Sequence, residues 1–205
     1  MDLIGKKRKY KWLKFVVLIV VLSIGGTMGQ LFADIFTDNL FKPSYKDINE
    51  YNWETFRVNN VSIEVPVSLD KNNGLELPKE IKKYIIRKDD WTGNLNSSFS
   101  ISIGVIEYIE GIIPNIDGAY QQMMMSMSSY EGAKNFQVQK KRIKKNDLEG
   151  YLYNAKLDVN DQAILTDGYI LAGNNRAWII QIVSPQNNEK AKKIKDKILK
   201  SLKTL

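Results

Sequence analysis

Residues 99–105 read Phe99-Ser100-Ile101-Ser102-Ile103-Gly104-Val105, with a large apolar side chain at every second position and Ser or Gly between. Period two of this regularity predicts a strand with one face in a core, and the pattern runs on toward Ile109. Upstream, Phe56-x-Val58 and Val61-x-Ile63-x-Val65 flank Asn59-Asn60, and Pro66 follows. Asn tolerates the left-handed backbone that a two-residue hairpin turn requires, so this is a strand, a turn and a second strand. Between the two regions we expect a loop at Lys71–Gly74 and a short helix over Leu77–Ile85 with Pro78 near its first turn.

Downstream, Pro114-Asn115-Ile116-Asp117 opens a helix. Ile116, Tyr120, Met123, Met124, Met127 and Tyr130 recur at helical spacing on one face, and Gly132 is placed to end it. Three further strand regions follow. They are Phe136–Ile143, which leads into Lys145-Asn146-Asp147; Leu148–Leu157, with Tyr151 and Tyr153 on one face; and Ala163–Leu171 with Arg176–Val183, a hairpin around Gly173-Asn174-Asn175. Asp158-Val159-Asn160-Asp161 reads as a turn. A last helix spans Asn188–Leu202, with Ala191, Ile194, Ile198 and Leu202 on its apolar stripe and lysines on the other face. The expected fold class is α+β, an antiparallel sheet flanked by helices.

The N-terminal part is of another kind. Of the net charge of +7, residues 1–14 carry five, from Lys6, Lys7, Arg8, Lys9, Lys11 and Lys14 against Asp2. The global charge is therefore a property of the leader and does not argue for nucleic-acid binding. Phe15–Ala33 has no charged residue. As a helix it would span ~28 Å, about the hydrocarbon core of a bilayer. It reads as a transmembrane anchor with a cytoplasmic N-terminus and an exported C-terminal portion. The competing reading is a signal peptide with its apolar region at Phe15–Ile24, but Thr27-Met28-Gly29 is a poor cleavage site. Gly25, Gly26 and Gly29 offer a small-residue face to a partner helix. The organisation expected is a basic leader at 1–14, an anchor at 15–33, a connector at 34–54 and an extracytoplasmic α+β domain at 55–205. Phe36, Phe41, Tyr45, Tyr51 and Trp53 of the connector suit either the outer membrane interface or a fold back onto the domain, with a short helix after Ser44.

The 205 residues include no Cys and no His. That removes disulfides, thiolate-ligated metals, thiol nucleophiles, the Ser-His-Asp triad and the usual general base. The carboxylates Asp89 and Asp90, Glu107 and Glu110, and Asp158 and Asp161 are the remaining candidates for acid–base or cation chemistry, beside a Ser–Lys pair. No phosphate loop, nucleophile elbow or calcium-loop spacing accompanies them. The chain is thus expected not to be an enzyme and to need no metal or cofactor. Two features suggest contacts instead. The run Lys140-Lys141-Arg142-x-Lys144-Lys145, at a strand end and turn, suits an acidic partner or anionic lipid. Single-stranded nucleic acid would want aromatics among those charges. In Met123-Met124-Met125-Ser126-Met127, Met125 alone is off the apolar stripe and is the candidate contact.

The order of elements resembles the Mog1/PsbP-like superfamily (PsbP/DcrB-type domains). Phe56-Arg57-Val58-Asn59-Asn60-Val61-Ser62-Ile63-Glu64-Val65-Pro66 is similar to its opening hairpin, F-x-V-x-x-x-x-I-x-x-P. Trp91-Thr92-Gly93 stands where a loop leads to an aromatic, Leu148-Glu149-Gly150-Tyr151 where the second strand group begins, and Ile198-Leu199-Lys200-Ser201-Leu202 where a terminal helix ends near Ser. The resemblance covers about residues 55–204. It implies a sheet sandwiched by helices and a binding or assembly role, with no shared reaction and no transferable site residue. The function expected is a membrane-anchored, non-catalytic binding or accessory domain with a protein partner. Alternatives are a surface stress, immunity or secretion factor acting through its transmembrane helix, and an enzyme built on carboxylates or Ser/Lys.

Overall fold

The computed structural model describes residues 44–72, 82–159 and 161–204. Among these residues it is an α+β domain with two antiparallel sheets and two α-helices. The strands are β1 (Glu54–Val58), β2 (Val61–Val65), β3 (Asp70–Asn72), β4 (Ile85–Asn96), β5 (Phe99–Tyr108), β6 (Ala133–Lys145), β7 (Leu148–Val159), β8 (Gln162–Gly173), β9 (Arg176–Pro185) and β10 (Lys203–Thr204). The helices are α1 (Ile116–Ser128) and α2 (Glu189–Lys200). The large sheet has the order β3-β4-β5-β9-β8-β7-β6, and the small one β1-β2-β10.

The hairpins form at the turns their asparagines predict. Asn59, Asn146 and Asn174 all have φ between 51° and 53°, the left-handed conformation that Asn adopts most cheaply after Gly. β5 and β6 run in the same direction but sit four places apart in the sheet. The chain must therefore return across the sheet between them, and α1 does so over β6, β7 and β8. Asn115 caps it, its Oδ1 accepting from Gly118 N at 3.0 Å. Ile116, Tyr120, Met123, Met124 and Met127 are buried there against Tyr151, Tyr153, Ala155 and Leu157 of β7. The other face of the sheet carries Ile101, Ile103, Trp178, Ile180 and Leu171, covered by α2 and by β1–β2. Ser201 stitches α2 to the small sheet, accepting from Glu64 N at 2.8 Å while donating to Ile198 O at 2.7 Å.

Several expectations are corrected. The sheet is not alone, because hairpin β1–β2 and the end of the chain form a second one. The last helix ends at Lys200, and Leu202 leads into β10, which pairs with Ser62 and Val61. Lys71 and Asn72 belong to a strand, not a loop. Trp91 lies within a 12-residue strand. The first helix ends at Ser128 with Ser129 as its cap, and Gly132 (φ 83°) instead turns the chain into β6. Most of the helix expected at Leu77–Ile85 lies outside the described residues, and Ile85 itself opens β4. No helix among the described residues is long and apolar enough to cross a membrane. Phe15–Ala33, with Gly25, Gly26 and Gly29, lies outside them, as do Phe36 and Phe41.

Tyr45, Tyr51 and Trp53 fold back on the domain. Tyr45 is buried against Phe99, its hydroxyl 2.8 Å from Ser98 Oγ, and burial raises the pKa of that hydroxyl above its usual value. A short 3-10 turn, Ile48–Glu50, follows, and Trp53 donates to Ile48 O at 2.9 Å. The lysines of α2 hold this strap. Lys190 reaches Asp47 at 3.3 Å, and Lys197 Nζ stands 3.8 Å from the centre of the Trp53 ring. Lys195 leaves the lysine face altogether and is buried against Asp167 at 3.0 Å.

Beyond the reach of α1, on β4, β5 and β9, its side of the large sheet carries small and polar residues. One row in register reads Thr92, Ser102 and Gln181, and continues under α1 as Gly168 and Tyr153. Thr166, in the neighbouring row, is fully buried, and its hydroxyl has no partner among the described residues. Thr166→Val keeps the shape and removes the desolvated group, so it is expected to raise unfolding stability by ~1 kcal/mol, read from a urea melt at unchanged slope.

Candidate functional site

The first described residues and the β4–β5 turn mark one end of the domain, since Tyr45 is bonded to Ser98 there. β5 runs ten residues away from that end, ~30 Å at strand rise. At the far end lies a cleft of about 480 Å³. Ile113, Pro114 and Ile116 form the wall that precedes and opens α1. Lys144, Asn146, Asp147 and Glu149 come from the β6–β7 hairpin, and Ala172, Gly173 and Asn174 from the β8–β9 hairpin.

The walls are held by the rest of the fold. Asn175 Nδ2 donates to Tyr108 O at 2.5 Å, and Tyr108 N to Asn175 O at 2.8 Å. Lys145 Nζ donates to Leu202 O at 3.0 Å, and Asn146 Nδ2 to Thr204 Oγ1 at 2.8 Å, so the chain's end braces one wall. Below the cleft, the Tyr151 hydroxyl donates to Asp117 at 2.5 Å, and that carboxylate pushes the phenol's pKa up. Lys140 Nζ sits 4.2 and 4.3 Å from the ring centres of Tyr120 and Tyr151, which pins α1 to β6.

Exposed apolar side chains gather at this same end. Ile113 is 81% exposed, Ile86 62% and Ile109 38%. The register of β4 on β5 slips between Ile85 and Arg87, so Ile86 is the extra residue of a bulge and is turned outward. Ile109 N pairs with Tyr84 O at 3.0 Å just beyond β5. Single exposed isoleucines are ordinary, but here three stand at one end of the domain, and Ile113 lines the cleft.

The basic run does not form one patch. It forms the end of strand β6 just before the Asn146-Asp147 turn, as expected, but the period of two divides it. Lys140, Arg142 and Lys144 face the α1 side, where Arg142 meets Glu149 at 3.2 Å and Lys144 lines the cleft. Lys141 and Lys145 face the α2 side. Met125 is 62% exposed on α1 and is not part of the cleft, while Met123 and Met127 are fully buried.

The candidate carboxylates are spread over the scaffold. Asp89 pairs with Lys71 at 2.6 Å and with Arg87, Asp90 with Lys88 at 3.2 Å, and Glu107 with Arg176 at 2.7 Å. Asp158 accepts from Asn135 at 2.6 Å, and Asp161 meets Lys134 at 3.8 Å in solvent. Among the described residues no three carboxylates are grouped to hold a metal ion. Lys144 apart, the cleft residues escaped sequence reasoning because they come from three separate turns. The one signal was the run of turn-prone Asn and Gly residues flanking strong strands.

No protein-family model matches the chain, and no curated protein matches it. Among solved structures it is similar to LpqN of Mycobacterium tuberculosis, described as involved in cell envelope biogenesis. That likeness has a TM-score of 0.37 and 10% identity over 80% of this chain and 100% of that one. A protein of unknown function from Pseudomonas aeruginosa, PA94, gives a TM-score of 0.33 and 9% identity over 65% of this chain and 83% of that one. Likeness at these values is too distant to carry a functional argument.

Proposed function

We propose that this chain is a membrane-anchored, extracytoplasmic, non-catalytic binding domain of the Mog1/PsbP-like kind, and that it presents the tip farthest from its tether to a partner protein. The observation that carries the reading is the exposure of Ile86, Ile109 and Ile113 at the end opposite Tyr45, with Ile113 in the wall of a cleft. An apolar loop or side chain of a partner would cover the isoleucines, and Lys144 and Glu149 would frame it with charge. The uncharged 15–33 segment and its basic leader support the anchor and the outward orientation. The engagement of Asp89, Asp90 and Glu107 with neighbouring cations supports a role without catalysis.

The test is a photo-crosslinking amino acid placed at Ile113 in the full chain, in intact cells. A discrete adduct is expected in the carbonate-resistant membrane fraction, sensitive to protease added from outside. The same probe at Asp161, at the tethered end, should give none. An identical adduct from both positions, or none from Ile113, would overturn the tip as the docking surface. Protection of the domain from external protease would overturn the orientation.

A further inference from the structure

Strand β6 closes one edge of the large sheet and carries 13 residues, and among the described residues only β7 pairs with it. A register shift between Lys134 and Gln137, with Asn135 at φ 55°, disturbs its first residues. From Gln137 to Lys145 the ladder with β7 is unbroken. That stretch is ~27 Å or more of regular backbone whose outer hydrogen-bonding groups have no strand beside them among the described residues. It carries Lys140, Lys141, Arg142, Lys144 and Lys145 and no acidic residue.

Lysines on an edge strand deter pairing with like edges. A second copy of β6 would bring these five cations against themselves, so self-association through this edge is disfavoured. The same charges favour an acidic strand. We infer that β6 is the docking edge for an acidic, extended segment of a partner protein, which adds to the large sheet as an eighth strand. The inference rests on the reading of this chain as a binding domain and names the chemistry of its partner.

The register defines what such a segment would carry. Because the charges alternate between the two sides of the sheet, acidic side chains are accommodated on both faces of the added strand. Val138 and Ile143 are half-buried at the two sides and would each take a small apolar neighbour. Main-chain bonds would supply affinity and the charge pattern would supply selectivity.

The probe is a synthetic peptide of about ten residues with Glu facing the basic positions and Val beside Val138 and Ile143. Its partner is the full chain in detergent micelles, read by fluorescence anisotropy and amide hydrogen exchange. Binding is expected with slowed exchange confined to residues 137–145. Lys141→Glu with Lys144→Glu should weaken it by about tenfold or more, whereas Lys134→Glu, beyond the register shift, should leave it unchanged. A poly-Glu peptide of equal charge should bind more weakly and protect no amide. Equal binding by poly-Glu without protection, protection elsewhere in the sheet, or no binding by the Val-containing peptide would overturn the inference. If the Ile113 adduct forms while β6 stays unprotected, the binding-domain reading stands and the docking edge falls.

Discussion

Lys195→Met is expected to lower unfolding stability by ~3–5 kcal/mol, a fall in Tm of roughly 10 °C or more for a domain of this size. The lysine lies beneath α2 with its Nζ 3.0 Å from Asp167 Oδ2, and both side chains are more than nine-tenths buried. Asp167 also accepts from Asn154 Nδ2 at 2.6 Å. Removing the cation leaves a carboxylate in the core with one neutral donor, and the desolvation of that charge is no longer offset. Lys193, two positions earlier and exposed, is the control. Lys193→Met should stay within ~0.5 kcal/mol. The double variant Lys195→Met, Asp167→Leu should recover most of the loss, because a buried ion pair replaced by apolar side chains of similar volume costs little. Equal destabilisation by the single and double variants would mean that packing, not the lone charge, sets the cost. Thermal melts of the full chain monitored by circular dichroism decide between them.

That pair also marks where sequence reasoning stops. A lysine among lysines on an amphipathic helix reads as solvent-facing, and nothing local identifies Lys195 as the exception. Its explanation is Asp167, 28 residues away in β8. The hairpins were legible because each is written locally, with alternating apolar residues on either side of an Asn able to take a positive φ. β4 was not legible. Arg87, Lys88, Asp89 and Asp90 put charge on both of its faces, and Lys71 and Arg87 stabilise it only after folding. The bulge at Ile86 breaks what alternation remains. The two residues of β10 are too few for any period, and they pair through a contact across most of the chain. The basic run was visible as charge, but a contiguous run on a strand is divided between two faces. The cleft was illegible for a related reason, since only the return of α1 across the sheet brings its three turns together.

Met127→Ala is expected to cost ~2–5 kcal/mol, while Met125→Ala should change stability by less than ~0.5 kcal/mol. The two residues stand two positions apart on α1, with Met127 fully buried and Met125 62% exposed. α1 must span β6, β7 and β8 as it returns from the far end of β5, so the volume under its apolar stripe is shared by three strands. Truncating Met127 opens a cavity beneath that crossing, in a core that includes Tyr153 and Leu157. The rigid rows of the sheet cannot close such a cavity, whereas a loop could relax into it. Met127→Leu should therefore restore most of the loss, because it keeps apolar volume without the thioether. Full restoration would place the importance of Met127 in packing rather than in its sulfur. If Met125→Ala were instead as costly as Met127→Ala, the phase of α1 against the sheet would be wrong. The walls of the cleft would then be wrong too, because Ile116 is set by the same helical phase.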